Sequence, residues 1–391
     1  MANFIDYLNW RGDITFDMAP FNIVDAMILC ELSYYDYDGL VPSDFSEAKV
    51  LLKDVCLPQV IDPLPNYCTK EDPVLLDLVK ESQRFSEIPV GGYVNKVDVD
   101  KNMQFSAITF FLSKRQTFIA FRGTDDSLVG WKENMDLAYN DVVPSQKEAV
   151  AYLKEASASC HGTLYVGGHS KGGNLAVYGS AFSGKRVNKR IEAVYNFDGP
   201  GFNDRVIQDG RFLDIAPRTH TFVPQDSIIG LLLKHKEHYS VIHSTASNGA
   251  AQHHLCTWEV TRDNFIREEK ITKSGENYRE NISEWIDSMT YEEKQDFIKV
   301  VYELVSEYKT TGELFTLKNI WGVIKEYRSM SDDNKHVVTG AIGDLKDTII
   351  DNLKEKLDKI SRNVQYSKPA TMLRIGKEII VDSLGKEEGS R

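Results

Sequence analysis

The sequence predicts an α/β protein in which a mostly parallel β-sheet is flanked by helices, followed by a helical C-terminal region. Three observations predict this class. Segments rich in β-branched and aromatic residues alternate with amphipathic segments between about residues 92 and 223. A glycine-rich turn at residues 168–172 joins one such segment directly to a helical one. Beyond about residue 276 the strand pattern ends and apolar residues recur at helical spacing.

The composition is that of an ordinary globular protein and argues against several classes of function. The chain has 391 residues, of which 42% are hydrophobic and 27% charged. Its net charge of −12 disfavours nucleic-acid binding, because surplus carboxylates repel phosphates. No apolar run approaches the ~20 residues of a membrane-spanning helix, and the first residues do not have the pattern of a signal peptide. Five scattered cysteines without a C-x-x-C pair predict a reduced, cytoplasmic protein with no metal site.

The first 275 residues are predicted to form the sheet domain, including an N-terminal segment of helices and loops. The proline-rich stretch at residues 36–74 predicts loops. The spacing of apolar residues predicts helices over residues 20–35, 74–85, 146–159 and 174–182. Strands are predicted over residues 92–99, 105–112, 117–122, 163–168, 192–197 and 218–223, with a tight hairpin at residues 114–115.

Residues 276–366 are predicted to be helical. Thr290 and Glu293 have the spacing of a capping box, and apolar stripes then recur as far as Ile360. These stripes are expected to pack on each other and on the sheet domain. The alternative is a cap over a pocket or a surface for a partner, such as a second copy of the chain. Residues 367–391 are polar and are predicted to form a partly flexible tail.

The sharpest motif is Gly168-His169-Ser170-Lys171-Gly172, which matches the G-x-S-x-G pattern of a nucleophile elbow. A predicted strand ends at the motif and a predicted helix follows it, which is the context that the mechanism requires. The turn crowds the serine backbone, so its neighbours must be small. The hydroxyl of Ser170 then projects from the carboxyl edge of the sheet, and the N-terminus of the helix favours a developing negative charge there.

A serine nucleophile needs a histidine base and an acid that orients the base. In hydrolases with this elbow, the chain order is serine, acid, histidine. Asp226 follows a predicted strand and a proline turn and is the favoured acid. Asp198, at the end of the preceding strand, is the alternative and could instead line the pocket. His253 is the favoured base, followed by His254 and then His243.

The remaining site residues are predicted from their places in the sequence. The Lys171 amide is one oxyanion donor, and the Thr124 amide and hydroxyl, in the loop after the strand at 117–122, supply the other. A simple ion pair between Arg122 and Asp125 is the alternative for that loop. Residues that could line the substrate pocket are His169, Asp198, Ile228 and Trp258, although His169 could be structural and Ile228 could belong to a core helix.

Several segments together resemble the class 3 lipase branch of the α/β hydrolases. They are FRGT at 121–124, GGHSKGGNLA at 167–176, VYNFDGPGF at 194–202 and VPQDSIIG at 223–230. The segments NFIDYLNWRGDITFD at 3–17 and QHHLCTW at 252–258 are similar to an uncharacterised bacterial family of lipase-like α/β hydrolases. The chain departs from the class 3 pattern at Lys171, where those lipases usually have leucine, and at Asp198.

The resemblance implies an α/β-hydrolase fold with Ser170, Asp226 and His253 as a triad and no cofactor. The expected activity is cleavage of an acyl ester, in a small molecule or a lipid, through an acyl-enzyme. A charged residue beside the nucleophile argues against a purely apolar acyl pocket. Thioesterase, peptidase or acyltransferase activity would use the same triad. A non-catalytic binding module with the same fold is the remaining alternative.

Overall fold

The protein is built around a mixed β-sheet. The computed structural model describes residues 2–62, 70–125, 127–137, 139–247 and 249–305. Nine strands of these residues lie in the sheet in the same order as in the chain. They are β1 Val50–Leu51, β2 Pro89–Asp98, β3 Met103–Ser113, β4 Gln116–Phe121, β5 Thr163–His169, β6 Ile191–Phe197, β7 Thr219–Pro224, β8 Tyr239–Ile242 and β9 Arg267–Glu268.

The central strands are parallel and the edges are antiparallel. Strands β4 to β8 pair in parallel, whereas β1 to β4 form an antiparallel edge and β9 pairs antiparallel with β8. The two-residue connection between Ser113 and Gln116 reverses the chain, as the predicted hairpin requires. The sheet is therefore mixed, and the parallel part carries the glycine-rich turn after β5.

Helices connect the parallel strands and also precede and follow the sheet. Helices α1 and α2 both begin with capping boxes, in which Asn3 pairs with Asp6 and Asn22 with Asp25. The helices are α1 Phe4–Arg11, α2 Ile23–Leu32, α3 Leu52–Val55, α4 Asp72–Glu81, α5 Leu128–Asp136, α6 Pro144–Ala158, α7 Lys171–Phe182, α8 Lys185–Asn188, α9 Asp204–Ile207, α10 Gly210–Ile215, α11 Gly249–Gln252, α12 Lys273–Ser288 and α13 Tyr291–Val305.

Each face of the sheet packs against a separate hydrophobic cluster, because side chains alternate between faces along a strand. In β4, Phe118 and Ala120 join a cluster with α1, α2 and α4. Their neighbours Ile119 and Phe121 join the other cluster, which includes α6, α7 and α10. The N-terminal helices therefore cover one face, and helices from the connections between parallel strands cover the other.

The predicted elements are largely confirmed. The strands and helices predicted between residues 92 and 223 are present, with boundaries shifted by a few residues. The capping box is present too: the Thr290 N–H donates to Glu293 and the Glu293 N–H to the Thr290 hydroxyl, just before α13. Strands β8 and β9 and helix α5 were not predicted. The predicted stripes beyond residue 305 and the polar tail lie outside the described residues, as do Pro63 and Pro65.

Among the helices of the described ranges, none is long and apolar enough to cross a bilayer. Within the same ranges, no group of three or more histidine, cysteine or acidic side chains is arranged to hold a metal ion.

Candidate active site

Ser170 occupies a sharp turn between β5 and α7. Its backbone has φ 57° and ψ −133°, a conformation that residues other than glycine rarely adopt. Helix α7 starts at the next residue and lies close to the end of β4. A Cβ on Gly172 would overlap the Phe121 carbonyl oxygen and lie 2.9 Å from the Arg122 carbonyl carbon. The small residues of the motif therefore permit the strand, turn and helix that the sequence predicts.

Asp198 lies beside this turn, at the end of the neighbouring strand β6. The Ser170 N–H donates to the carbonyl of Phe197, the residue before Asp198, at 2.9 Å. Asp198 is fully buried and also has a positive φ of 49°. Because β5 and β6 are parallel neighbours, their carboxyl ends bring Ser170 and Asp198 to the same edge of the sheet.

His253 is bonded to Asp198. Its Nδ1 lies 2.6 Å from Asp198 Oδ2, while Oδ1 of the same carboxylate accepts bonds from the Ser227 hydroxyl at 2.5 Å and the Gly230 N–H at 3.2 Å. A carboxylate only accepts hydrogen bonds, so in the neutral imidazole the proton is on His253 Nδ1 and the lone pair is on Nε2. Among the described residues, the His253 Nε2 and the Ser170 hydroxyl are hydrogen-bonded neither to each other nor to any other group.

The structure brings Asp198 to His253, and it places Asp226, the acid that the sequence favours, elsewhere. The Asp226 carboxylate accepts bonds from the Gln252 amide at 3.0 Å and from the Thr272 hydroxyl, and its N–H donates to the Gln252 Oε1 at 2.9 Å. Asp226 lies past the end of β7, where it joins Gln252 to the start of α12. It holds the side chain of Gln252, the residue before His253, and makes no hydrogen bond to the imidazole.

Trp258, which could line the substrate pocket according to the sequence, lies in the core of the structure. Its side chain is fully buried and packs edge-to-face with Phe197 and Phe265 in the core. The indole N–H donates to the Gln252 carbonyl at 2.8 Å. Trp258 therefore supports the residue before His253 from the interior of the protein.

His169 has a structural part in the site. Its Nε2 lies 2.8 Å from the His253 carbonyl oxygen and its Nδ1 2.9 Å from the Tyr34 hydroxyl. The two histidine rings are 4.4 Å apart, centroid to centroid. Because a carbonyl only accepts, His169 Nε2 carries the proton and Nδ1 accepts from Tyr34. Burial, followed by the nearby His253, lowers the pKa of His169 well below its usual value, which keeps this tautomer neutral.

The other two histidines considered for the base are placed differently. His243 lies 2.8 Å from Glu259. His254 is next in the chain to His253, and burial lowers its pKa. Of the three candidates, His253 is the one bonded to Asp198.

The Thr124 loop lies directly against the serine. A Cβ on Gly123 would lie 2.7 Å from the His169 carbonyl oxygen and 3.0 Å from the Ser170 Cβ, and it would clash with the Tyr34 hydroxyl. The backbone N–H groups of Thr124 and Lys171 make no hydrogen bond to a described residue. Two unpaired donors on either side of a serine can hold a negatively charged oxygen. The Arg122–Asp125 ion pair, at 3.1 Å, is present in the same loop.

The Lys171 side chain extends into the interior. Its Nζ donates to the Gln104 carbonyl at 2.7 Å, to the Gln104 Oε1 at 2.6 Å and to Glu133 at 3.0 Å. Burial lowers the pKa of Lys171. Since the ammonium is enclosed by β3 and α5, the expectation that it makes the acyl pocket polar is not supported.

Ile228 is half-buried in a turn. Residues 227–233 contain no helix, so Ile228 does not belong to a core helix. A cavity of about 960 Å³ is lined by His220, Arg267 and the first residues of β7, among others, and not by any of the candidate site residues. It lies towards the start of the parallel strands, whereas Ser170 follows the end of one.

Several contributors to the site were missed because their sequence context carries no motif. Ser227 supports Asp198, Tyr34 supports His169, and Glu133 holds Lys171. Tyr34 lies near the end of a predicted helix, just after the observed α2, far from the serine in sequence. Glu133 lies in a helix that was not predicted. A buried carboxylate needs a cationic partner, but the sequence does not show that the Glu133 carboxylate is buried.

Comparison with known proteins assigns the chain to a family. It belongs to the Mbeg1-like family, a lipase-like family whose match covers residues 79–303, more than half of the chain and all of the strands from β2 to β9. The expected resemblance to lipase-like α/β hydrolases is confirmed. No curated protein matches the chain.

Solved lipases give weaker similarity. The Rhizomucor miehei lipase propeptide complex is 15% identical, with 48% of this chain and 65% of that chain covered and a TM-score of 0.31. M37 lipase is 15% identical, with 53% of this chain and 69% of that lipase covered and a TM-score of 0.32. A mutant form of MDLA from Penicillium cyclopium is 12% identical, with 63% of this chain and 85% of that chain covered and a TM-score of 0.34. The chain thus spans less than two thirds of the Rhizomucor lipase, and neither substrate nor mechanism follows from these similarities.

Proposed function

We propose that the protein is a serine hydrolase that cleaves a carboxylic acyl ester through Ser170, His253 and Asp198. The observation that carries this proposal is the 2.6 Å bond between His253 Nδ1 and a fully buried Asp198, beside a serine in an elbow conformation. A buried carboxylate that meets an imidazole at this edge of the sheet supplies the orienting acid of a triad.

The residues divide the reaction among them. His253 Nε2, which carries the free lone pair, takes the proton of Ser170 as the serine oxygen attacks the ester carbonyl. Asp198 holds the Nδ1 proton and stabilises the imidazolium that forms. The N–H groups of Thr124 and Lys171 receive the negative oxygen, where each donor contributes ~3–4 kcal/mol to the transition state. His253 returns its proton to the leaving alcohol, and water then releases the acid from the serine.

The first test is covalent labelling of the serine. An active-site fluorophosphonate should label the wild type and fail to label Ser170→Ala, because the probe reacts only with an activated hydroxyl. Intact-protein mass spectrometry gives the labelled fraction. Ser183→Ala is the matched control, since Ser183 ends α7 away from the turn and bonds to the Ser180 carbonyl. This variant should label as the wild type does.

Labelling of Ser170→Ala would contradict the assignment of the nucleophile. A chain-length series of nitrophenyl esters, assayed beside a thioester and an amide of the same acyl group, then defines the bond that is cleaved. Ester hydrolysis that disappears in Ser170→Ala is the expected result. Labelling without turnover of any of these substrates would contradict the hydrolase proposal and favour a binding module with a hydrolase fold.

A further inference from the structure

Helix α5 contacts both residues proposed to hold the oxyanion. It follows the Thr124 loop in sequence and places two adjacent side chains against the site. The Asn134 amide donates to the Thr124 hydroxyl oxygen at 2.6 Å, and Glu133 accepts from the Lys171 ammonium at 3.0 Å. One helix therefore connects the two oxyanion donors, which come from different loops of the chain.

The Glu133–Lys171 pair is enclosed and fully hydrogen-bonded. The two side chains are 0% and 1% exposed. Glu133 also accepts the Ser145 N–H at 2.8 Å and the Gln104 N–H at 3.1 Å. Lys171 uses its three ammonium bonds on Glu133 and on the two oxygens of Gln104. Such a pair tolerates little displacement, because each buried charge needs all of its partners.

The Glu133–Lys171 ion pair affects the site because Lys171 is next to Ser170 in the chain. Lys171 is the first residue of α7 and the residue directly after Ser170, so an anchored side chain restricts how its N–H can rotate. At Thr124, the hydroxyl oxygen accepts from Asn134, which leaves the hydroxyl proton free to donate. Helix α5 also packs tightly here, since a Cβ on Gly130 would lie 2.9 Å from the Thr124 Cγ2.

We propose that Glu133 and Asn134 are positioning residues that set both oxyanion donors before substrate binds. This inference rests on the proposed serine hydrolase function and adds a specific role for α5. Positioning of this kind acts on the transition state and not on the ground state, because the negative oxygen exists only after attack. Its loss should therefore lower kcat and leave KM nearly unchanged.

Asn134→Ala is the primary test, because Asn134 is only half-buried and its removal should not prevent folding. We expect kcat to fall by about 10-fold or more, with KM within ~2-fold of the wild type. The affinity for a boronic acid, which forms a tetrahedral adduct with the serine, should fall by a similar factor. Met135→Ala, at the neighbouring and more exposed position of α5, is the matched control and should change neither value.

The ion pair is tested with the double variant Lys171→Met/Glu133→Gln, which removes both charges and keeps similar volumes. We expect a folded protein by near-ultraviolet circular dichroism with a lower kcat and a similar KM. Should this variant not fold, Asn134→Ala alone decides the outcome. Wild-type kcat and boronate affinity in Asn134→Ala would overturn the proposal for Asn134, and the same result in a folded double variant would overturn it for Glu133.

The failure of this inference is distinguishable from failure of the proposed function. Wild-type protein that hydrolyses esters through Ser170, with unchanged kinetics in the α5 variants, contradicts the positioning role alone. Wild-type protein without any hydrolysis that depends on Ser170 contradicts both.

Discussion

Ser170 and Asp198 share an uncommon backbone conformation. Their φ values are 57° and 49°, in the left-handed region that residues other than glycine occupy at a cost of ~1–2 kcal/mol. Each donates its backbone N–H across the sheet, Ser170 to Phe197 at 2.9 Å and Asp198 to Phe222 at 2.8 Å. These bonds offset part of the cost and turn both side chains towards the same edge. The conformation at these two residues thus prepares the site without a ligand.

Substitution of the two candidate acids should separate them. We expect Asp198→Asn to lower kcat by ~10³–10⁴-fold, because an amide at this position favours the wrong tautomer of His253. Asp226→Asn should retain activity within ~10-fold, since Asp226 contacts Gln252 and Thr272 and not the imidazole. Steady-state ester hydrolysis, corrected for the folded fraction, measures both.

The comparison is sharp because both carboxylates lie after parallel strands and both touch the segment around His253. Full activity in Asp198→Asn, or loss of activity in a folded Asp226→Asn, would restore Asp226 as the acid and contradict the triad proposed above.

At the scale of elements, the segment that carries His253 is held from three directions. The His169 ring donates to the His253 carbonyl, the Trp258 indole donates to the Gln252 carbonyl, and Gln252 bonds to Asp226. Residues 249–258 contain only one turn of α-helix and one of 3₁₀-helix, so they have few internal backbone bonds. Side-chain bonds from β5, from the core and from the turn after β7 supply the rigidity that the base needs.

The burial of His169 should make folding stability depend on pH. The pKa of His169 is lowered in the folded state by burial, so at acidic pH the unfolded chain binds a proton that the folded state resists. The free energy of unfolding should therefore fall as pH decreases through ~6.5, the usual histidine pKa. His220 and His254 shift in the same direction and add to the effect.

Urea denaturation between pH 7.5 and pH 5 measures this dependence. The slope in His169→Gln should be smaller than in the wild type by up to ~1.4 kcal/mol per pH unit, the value for one proton. Ser170→Ala, which keeps His169, should retain the wild-type slope. Equal slopes in wild type and His169→Gln would show that His169 is protonated alike in both states.

On the scale of the whole molecule, the N-terminal helices form one of the two layers that enclose the sheet. A buried polar network joins this layer internally. Arg84 donates to both oxygens of Asp25, at 2.7 and 2.6 Å, and to the carbonyls of Ile14, Ala19 and Pro20. The Tyr7 hydroxyl donates to the same aspartate at 2.6 Å. The loop before α2 is thereby fixed against the segment after α4.

Arg84→Met should strongly destabilise the protein. It leaves Asp25 buried without its cation, and removal of one partner from a buried pair costs ~3–5 kcal/mol. Lys53→Met breaks the exposed pair with Glu87 and is the matched control, with a midpoint expected within error of the wild type. Chemical denaturation followed by tryptophan fluorescence compares them. Similar midpoints for the two variants would contradict a structural role for the network.

The features that the sequence predicted correctly are local. The hairpin at residues 114–115, the capping box at Thr290 and the strand, turn and helix around Ser170 depend on residues within a few positions of each other. Local enrichment in β-branched and aromatic residues predicted the central strands for the same reason. Strands β8 and β9 were missed because they are only four and two residues long and their pairing depends on distant neighbours.

The choice between Asp226 and Asp198 could not be made from the sequence, because it depends on three-dimensional position. Strand order favoured Asp226, but the positive φ that turns Asp198 towards His253 has no signature in an aspartate followed by glycine and proline. Trp258 was placed at the site from its polar neighbours, whereas its ring belongs to the core. The serine and the histidine were nominated from motif and order. Their relation to Asp198, Tyr34 and Glu133 required the folded structure.

The contact between residue 3 and residue 256 has a consequence for synthesis of the protein. The Asn3 amide donates to the Cys256 carbonyl at 2.9 Å, and the Val260 N–H donates to the Ala2 carbonyl at 2.8 Å. The first helices leave the ribosome some 250 residues before these partners exist. Helices α1 and α2 also contact α4 and the strands β4 to β6, which are synthesised earlier, so the bonds to residues 256 and 260 are the last of these contacts to become possible. The segment that bears His253 is thus joined to the N-terminus only late in translation, and a polypeptide that ends before this segment lacks the imidazole on which the proposed function depends.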